Sequence, residues 1–291
     1  MSFTPFGIHL GPLTLSYFGL ILLLAMAVGG VISYRRARAR GQDPELVIDA
    51  LTWGLIGAVI LARLFYIWNP PPSVAELYSR RWYLTHPFDL QVGPLAIWSG
   101  GFGPAGALLG GLLGVFIFLK RRGVDIWLWA DILTPGSLAG LAIACLANIV
   151  NQQMYGPPTS LPWGIAVLSP VPPYNDLNLY PAGTRFHPTP AYLSLWSLAV
   201  LGIVVWVESR RGLQPGDLFL LAALIFLPGL FVADFLRLDL SRSLFGLSGV
   251  QVMAVLLLIG GLWIGLRRNR QVEGLAGDAK PPAASTTSDG H

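Results

Sequence analysis

Seven apolar runs, each about long enough to cross a lipid bilayer, constrain this chain more than any other feature. They occupy residues 13–33, 47–68, 103–119, 126–147, 189–207, 216–236 and 248–266. A spanning helix needs about 20 apolar residues, and hydrocarbon does not tolerate unpaired backbone N–H and C=O groups. The runs are continuous, unlike the alternating strands of a membrane barrel. The sequence therefore predicts an all-α fold, a polytopic integral membrane helical bundle with seven transmembrane helices, numbered here as spans 1 to 7.

The composition agrees with this and argues against nucleic acid as a partner. Charged residues make up 12% of the 291 residues, whereas soluble domains carry about 25%. The basic residues behind the net charge of +4 lie at the ends of the apolar runs, not along one soluble face. The sequence contains no phosphate loop, no metal-ligand spacing and no nucleophile elbow, so we expect no metal and no cofactor.

Lysine and arginine residues predict the orientation of the spans. Four basic clusters follow spans 1, 3, 5 and 7: Arg35, Arg36, Arg38 and Arg40; Lys120, Arg121 and Arg122; Arg210 and Arg211; and Arg267, Arg268, Arg270 and Lys280. A seven-helix layout puts all four clusters on one side of the membrane, and such clusters mark the cytoplasmic side. We therefore expect the N-terminus outside and the C-terminus in the cytoplasm.

The same layout divides the chain into a membrane domain, residues 1–268, and a tail, residues 269–291. Two long segments of the membrane domain, 69–102 and 148–188, face outward. The first carries Trp82, Tyr83 and Trp98, which are typical of a membrane interface, and the second is rich in proline. The tail is small and polar, which predicts a disordered cytoplasmic segment.

Polar side chains at membrane depth are costly, and they are candidates for function. Arg63 and Tyr66 lie one turn apart on span 2 and share a face of the helix. The sequence leaves open which partner Arg63 has: a carboxylate, a ring of carbonyls or a lipid phosphate, or water reached by snorkelling to the interface.

An amide-rich run follows span 4. Asn148, Asn151 and Gln153 are its predicted site residues. Asparagine often caps the end of a helix, so these amides either cap span 4 or bind the polar groups of a ligand.

Further polar residues lie at the outer ends of spans 5 and 6. His187 and Tyr192 are at the start of span 5, and Asp234 and Arg237 are three residues apart on span 6. The last two form either a self-satisfied ion pair or a charge pair beside an anionic headgroup. Together with the span 2 and span 4 clusters, these residues predict a site for an amphiphile at the outer leaflet.

Five motifs occur in register along the chain. They are Ile97-Trp98-Ser99-Gly100-Gly101; Ala142 to Asn151 with Gln153 and Tyr155-Gly156; His187 to Leu193; Ala233-Asp234-Phe235-Leu236-Arg237; and Ser248-Gly249-Val250-Gln251. In this order they resemble the prolipoprotein diacylglyceryl transferase family, from about Leu13 to Ile264. The seven helices and the outside N-terminus are also similar to that family.

The resembled family moves the diacylglyceryl group of phosphatidylglycerol to the lipobox cysteine thiol of a lipoprotein precursor, and glycerol phosphate is released. The resemblance implies a multi-pass protein of the bacterial cytoplasmic membrane, the cell inner membrane. Its implied partners are phosphatidylglycerol and the signal peptides of lipoprotein precursors. The implied substrate-binding residues are Arg63, Tyr66, Asn148, Asn151, Gln153, Asp234 and Arg237, and the catalytic candidates are His187 and Arg237.

The chain departs from the family pattern at three key positions. Cys145 replaces the signature arginine, Ala105 replaces a histidine or tyrosine, and Leu230 replaces an arginine one turn before Asp234. Loss of an arginine that stabilises a phosphate leaving group costs orders of magnitude in rate.

Three hypotheses for the function follow. The first is a divergent transferase in which Arg63, Arg237 and His187 take over the lost roles. The second is a catalytically lapsed relative that binds phospholipid or lipoprotein precursor as a scaffold. The third is an amphiphile transporter, which the lack of internal repeats disfavours.

Overall fold

The computed structural model describes residues 2–278 apart from 5–6, 11–12, 71–73, 75–76, 97–99, 169, 171–173, 239–241 and 245. Eight helices make up most of this part of the chain: α1 (Tyr17–Ala39), α2 (Glu45–Trp68), α3 (Arg80–Thr85), α4 (Pro104–Arg122), α5 (Ile126–Val150), α6 (Thr189–Arg210), α7 (Asp217–Phe235) and α8 (Gly249–Asp278). All of them except α3 are long and apolar enough to cross a membrane. The all-α bundle and the seven predicted spans are therefore confirmed.

Short antiparallel strands accompany the helices. The strands β1 (Ser2–Thr4), β2 (Gly7–Leu10) and β3 (Leu13–Ser16) form one sheet, β4 (Ile165–Ala166) pairs with β5 (Arg185–Phe186), and β6 (Arg242–Leu244) pairs with β7 (Leu247–Ser248). The start that we predicted for span 1, at residue 13, is therefore a strand. The first helix begins at Tyr17, where the Ser16 hydroxyl accepts the Gly19 N–H at 3.1 Å.

Glycines bring two antiparallel pairs of helices into close contact. In α1 and α5, a Cβ atom on Gly29 would lie 2.8 Å from the carbonyl oxygen of Gly136. In α2 and α4, a Cβ atom on Gly57 would overlap the carbonyl group of Gly110. Small residues of this kind let helix backbones approach in lipid, where no hydrophobic effect drives helices together.

Ion pairs gather the basic clusters at one end of the bundle, called the basic end below. They join α1 to α6 (Arg36 with Glu208, 2.7 Å), α2 to α4 (Asp49 with Arg122, 2.8 Å) and α7 to α8 (Asp217 with Arg268, 3.6 Å). The segments that connect α2 to α4 and α5 to α6 lie at the opposite end, called the loop end.

Asp131 adds a further tie at the basic end. Its residue surface is 2% exposed, and its carboxylate accepts the backbone N–H groups of Gly216 at 2.7 Å and Phe219 at 2.8 Å. These N–H groups belong to the start of α7, where a helix has unpaired donors and a positive dipole end. Asp131 of α5 therefore caps a different helix.

The last helix continues past the predicted boundary at residue 268 and ends at Asp278. Residues 279–291 and Trp98 lie outside the described residues. The disordered tail and the orientation of the two termini stay predictions.

Candidate functional site

Arg63 is the centre of a buried set of hydrogen bonds at the loop end of α2. The residue is 5% exposed, and its guanidinium group has five N–H donors in a fixed fork. Nε donates to the carbonyl oxygen of Pro94 (3.2 Å), Nη1 to those of Gly100 and Gly101 (3.3 Å to the second), and Nη2 to those of Val92 (3.1 Å) and Gly93 (2.6 Å). Of the partners that the sequence left open, the structure shows the ring of carbonyls.

Two consecutive glycines make this ring possible. Gly100 and Gly101 have φ angles of 81° and 73°, a region that L side chains rarely adopt. A Cβ atom on Gly101 would lie 2.6 Å from Cε1 of Tyr66 and 2.9 Å from Nη1 of Arg63. The Tyr66 ring centroid itself lies 5.8 Å from Cζ of Arg63. The shared face of Arg63 and Tyr66 thus packs directly against a glycine turn.

Asp89 organises the loop that supplies the carbonyls. Its Oδ1 atom accepts the backbone N–H groups of Gln91 at 2.8 Å and Val92 at 3.0 Å, as in an Asx turn. The N–H groups of Val92 and Gln91 hold the pKa of Asp89 below its ordinary value. The turn leaves the carbonyl oxygens of Val92 and Gly93 facing Arg63.

A cavity of about 150 Å³ opens beside Arg63. Its lining residues are Arg63, Tyr66, Val74, Leu77, Tyr78, Tyr83, Val92, Gly100 and Gly101. Burial raises the pKa of Tyr83, so this phenol is neutral at physiological pH. The cavity therefore combines tyrosine hydroxyl groups with one buried cation, a lining that suits a small polar group.

A second buried polar network joins α7 to α8. Asp234 and Arg237 are 1% and 6% exposed, and Oδ1 of Asp234 accepts Nη1 of Arg237 at 3.1 Å. The Ser248 hydroxyl donates to Oδ2 of Asp234. The structure therefore shows Asp234 and Arg237 as an ion pair that Ser248 links to the start of α8.

Ser248 and Gln251 are members of this network that we did not predict as site residues. The Ser248 hydroxyl oxygen accepts the Gln251 N–H at 3.1 Å, and Oε1 of Gln251 accepts the Ser248 N–H at 2.9 Å. These reciprocal bonds form a capping box. The Ser-x-x-Gln spacing before an apolar run is the signal that points to them.

His187 lies where the segment after α5 meets the start of α6. Its Nδ1 atom is 2.9 Å from the Tyr192 hydroxyl, which accepts Nε1–H of Trp163 at 3.0 Å. Its carbonyl oxygen accepts the Gly156 N–H at 2.8 Å, and the carbonyl oxygen of Tyr155 accepts the Leu238 N–H at 3.2 Å, just after Arg237. Backbone hydrogen bonds therefore join His187 to Gly156, and they join Leu238, the residue after Arg237, to the adjacent Tyr155.

The three predicted amides differ in their surroundings. Nδ2 of Asn148 donates to the Ala144 carbonyl of its own helix at 3.3 Å. The side chains of Asn151 and Gln153 make no hydrogen bond to any residue that the structure describes. The residues on either side of Gln153, Gln152 and Met154, have φ angles of 53° and 60°. Such backbone strain in non-glycine residues is common at ligand sites.

Two of the positions that depart from the family pattern lie in one apolar cluster. Ala105 packs with Val250 and Met253, and Phe65, Leu230 and Leu257 pack against them. The cluster joins α2, α4, α7 and α8, and neither Ala105 nor Leu230 has a side chain that binds phosphate. The third position, Cys145, is buried on α5.

In the described part of the chain, no three His, Cys, Asp or Glu side chains come together in the way that the ligands of a metal ion do.

Known proteins resemble this chain along nearly its whole length. The family model described as prolipoprotein diacylglyceryl transferase matches residues 5–267. A protein of Chloroflexus aggregans named phosphatidylglycerol–prolipoprotein diacylglyceryl transferase is 35% identical over 250 residues, which are 82% of this chain and 77% of that protein. Two proteins with the same name are each 32% identical. The one from Gloeobacter violaceus is matched over 92% of this chain and 95% of its own length, and the one from Frankia alni over 82% and 59%. The chain belongs to the prolipoprotein diacylglyceryl transferase family.

Proposed function

We propose that this protein is a divergent phosphatidylglycerol–prolipoprotein diacylglyceryl transferase. It transfers the diacylglyceryl group of phosphatidylglycerol to the lipobox cysteine of a lipoprotein precursor. The observation that carries the proposal is the family match through residues 5–267, which includes all the site residues above. A bond forms between the cysteine sulfur and a glyceryl carbon, the bond from that carbon to a phosphate oxygen breaks, and glycerol phosphate leaves with the electron pair.

Arg237 is the cation that we assign to the departing phosphate. It is buried, and Asp234 and Ser248 fix its direction. A cation oriented in advance in a site that excludes water stabilises charge that develops as the phosphate leaves. Arg63 contributes as part of the cavity wall. It also holds in place the backbone carbonyls that surround it, those of Val92, Gly93, Pro94, Gly100 and Gly101.

His187 is the group that we assign to the thiol proton. The attacking species is the thiolate, so the reaction needs a proton acceptor. When Nδ1–H donates to the Tyr192 hydroxyl oxygen, Nε2 of the imidazole accepts a proton. Trp163 holds the hydroxyl group that orients the ring. We assign binding of the glycerol headgroup and the peptide to the remaining candidates, which are Tyr66, Asn148, Asn151 and Gln153.

The orientation follows from the charge distribution. We place the protein in the bacterial cytoplasmic membrane with its basic end in the cytoplasm and the N-terminus outside. A fluorescent protein that matures only in the cytoplasm tests this when it is fused to the C-terminus. Fluorescence supports the orientation, and its absence from a well-expressed fusion contradicts it.

Complementation tests the transferase activity. The full chain is expressed in cells depleted of their own transferase, and thioether-linked diacylglyceryl cysteine is measured on a lipoprotein. We expect lipidated product from the wild type and at least a hundredfold less from Arg237→Gln. Inserted wild-type protein that yields no product contradicts the proposal.

A second candidate, the catalytically lapsed relative, is favoured by one observation. Ala105 and Leu230 share a single apolar cluster, so two polar positions of the family pattern are replaced together by groups that pack against each other. If the wild type is inactive, the triple variant Cys145→Arg, Ala105→His, Leu230→Arg tests this candidate. Recovered lipidation would show a lapsed site on an intact scaffold.

A further inference from the structure

A groove at the basic end lies between α2 and α4, away from the candidate site. Trp53, Ile117, Phe118, Arg121 and Arg122 line its volume of about 280 Å³. Trp53 and Ile117 are 42% and 44% exposed, whereas Phe118 is 5% exposed. Both helices are membrane spans, so this exposed flank faces lipid and the groove opens toward acyl chains.

The shape of the groove follows from the glycines of the two helices. Toward the loop end, glycines keep the backbones of α2 and α4 in contact. The last of these contacts is at Gly114, where a Cβ atom would overlap the Trp53 carbonyl. Closer to the basic end, the large side chains of Ile117 and Phe118 replace glycine on α4. The gap that opens there has an apolar floor and a basic rim.

The groove is positively charged, and nearby carboxylates neutralise only part of this charge. Nη2 of Arg122 lies 2.8 Å from Oδ2 of Asp49, and its guanidinium carbon is 5.3 Å from the Phe118 ring centroid. Arg121 makes no hydrogen bond or ion pair with any residue in the described ranges. Asp49 thus pairs with one of the two guanidinium groups of the groove, and Lys120 adds a further positive charge at the same end of α4.

We propose that this groove binds one anionic phospholipid of the surrounding bilayer. Its phosphate lies on Arg121 and Arg122, and an acyl chain lies along Ile117 and Phe118. Guanidinium groups match phosphate oxygens, and basic pockets between transmembrane helices bind anionic headgroups. Tryptophan, here Trp53, prefers the depth of the headgroups. This lipid is a structural ligand that bridges α2 and α4 at the end of the bundle opposite the candidate site.

Lipid retention by the full chain tests the proposal. The protein is released from vesicles of phosphatidic acid and phosphatidylcholine, and native mass spectrometry counts the lipids that remain bound. We expect the wild type to retain phosphatidic acid in preference to phosphatidylcholine, and Arg121→Gln to retain about fivefold less of it. Ile117→Trp fills the groove without a change of charge, and we expect a similar loss. Arg81→Gln removes an exposed cation from the loop end, and we expect no loss.

Four results would overturn the proposal. One is equal retention of both lipids by the wild type, and another is wild-type retention by both Arg121→Gln and Ile117→Trp. The third is an equal loss in Arg81→Gln, which would show a general charge effect. Displacement of the lipid by inorganic phosphate would identify a site for free phosphate and contradict a lipid site. Because lipidation activity is not the readout, failure of the proposed transferase function would not change any of these outcomes.

Discussion

Ser248 donates its hydroxyl hydrogen to Oδ2 of Asp234 and accepts the Gln251 N–H on the same oxygen atom. One side chain therefore caps α8 and fixes the carboxylate that pairs with Arg237. The direction of the Arg237 guanidinium depends on how the last span begins.

Ser248→Ala removes both bonds at once. Loss of an N-cap costs about 1 kcal/mol, and removal of a donor from a buried charged acceptor costs about 1–3 kcal/mol more. We expect the free energy of unfolding in detergent to fall by about 2–4 kcal/mol. Ser209→Ala is the control, because the Ser209 hydroxyl is exposed and bonds its own helix at the Trp206 carbonyl. Equal stability of the two variants would contradict the assigned role of Ser248.

Gly100→Ala and Gly101→Ala form a matched pair. Both put alanine at a positive φ angle, which costs about 1–2 kcal/mol. Only the second puts a Cβ atom against Tyr66 and Arg63, whereas no residue that the structure describes lies within 4 Å of a Cβ on Gly100. We expect Gly101→Ala to lose about 1–3 kcal/mol more in unfolding free energy than Gly100→Ala. The same loss in both would mean that the carbonyl ring adapts without cost.

The turn at Asp89 is expected to loosen in acid. The N–H groups of Val92 and Gln91 lower the pKa of Asp89 from its ordinary value of 3.8. Its contribution to stability is therefore complete above that value, and it is lost as the pH falls through the lower pKa of the folded loop. Amide exchange at Gln91 and Val92, corrected for intrinsic rates, should accelerate below about pH 4. Asp89→Asn keeps an acceptor that does not titrate, so an identical acid response in this variant would rule Asp89 out as the cause.

Asp131→Ala removes the acceptor for two N–H groups at the start of α7. These donors become unpaired in a buried environment, and we expect a loss of about 2–4 kcal/mol in unfolding free energy. Asp176→Ala serves as the control, because the Asp176 carboxylate caps an exposed loop at Asn178. We expect a loss of about 0.5 kcal/mol or less there. If the two losses were equal, the contact between α5 and α7 would not stabilise the bundle.

The spans could be predicted because hydrocarbon imposes one solution on any long apolar run. The start of α1 could not, because Leu13-Thr14-Leu15-Ser16 runs without a break into the apolar helix that follows. Only its alternation of apolar and polar residues marks a strand. Gly11-Pro12 separates two such alternating segments in the sequence, and this pair is the signal for a hairpin.

Pairs of candidate-site residues could be predicted only where the two members are three residues apart. Arg63 and Tyr66 share a face of α2. Arg237 lies just after α7, close enough in sequence to pair with Asp234. The partners of Arg63 could not be predicted, because they are backbone carbonyls about 30 residues away and every residue carries such a group. The contact of Asp131 with Gly216 could not be predicted for the same reason, because the sequence does not show which distant N–H groups are unpaired.

The contact of Asp131 with Gly216 and Phe219 also bears on the order in which the spans assemble during synthesis. Asp131 leaves the ribosome before Gly216 and Phe219 exist, so α5 enters the membrane with a carboxylate whose final donors have not been synthesised. Until α7 arrives, water at the membrane surface must solvate this group, because an unpaired charge is costly within lipid. We therefore expect the basic end of α5 to stay hydrated while α6 is made and to become dry only when α7 docks. Closure of the bundle would then follow synthesis of the sixth span.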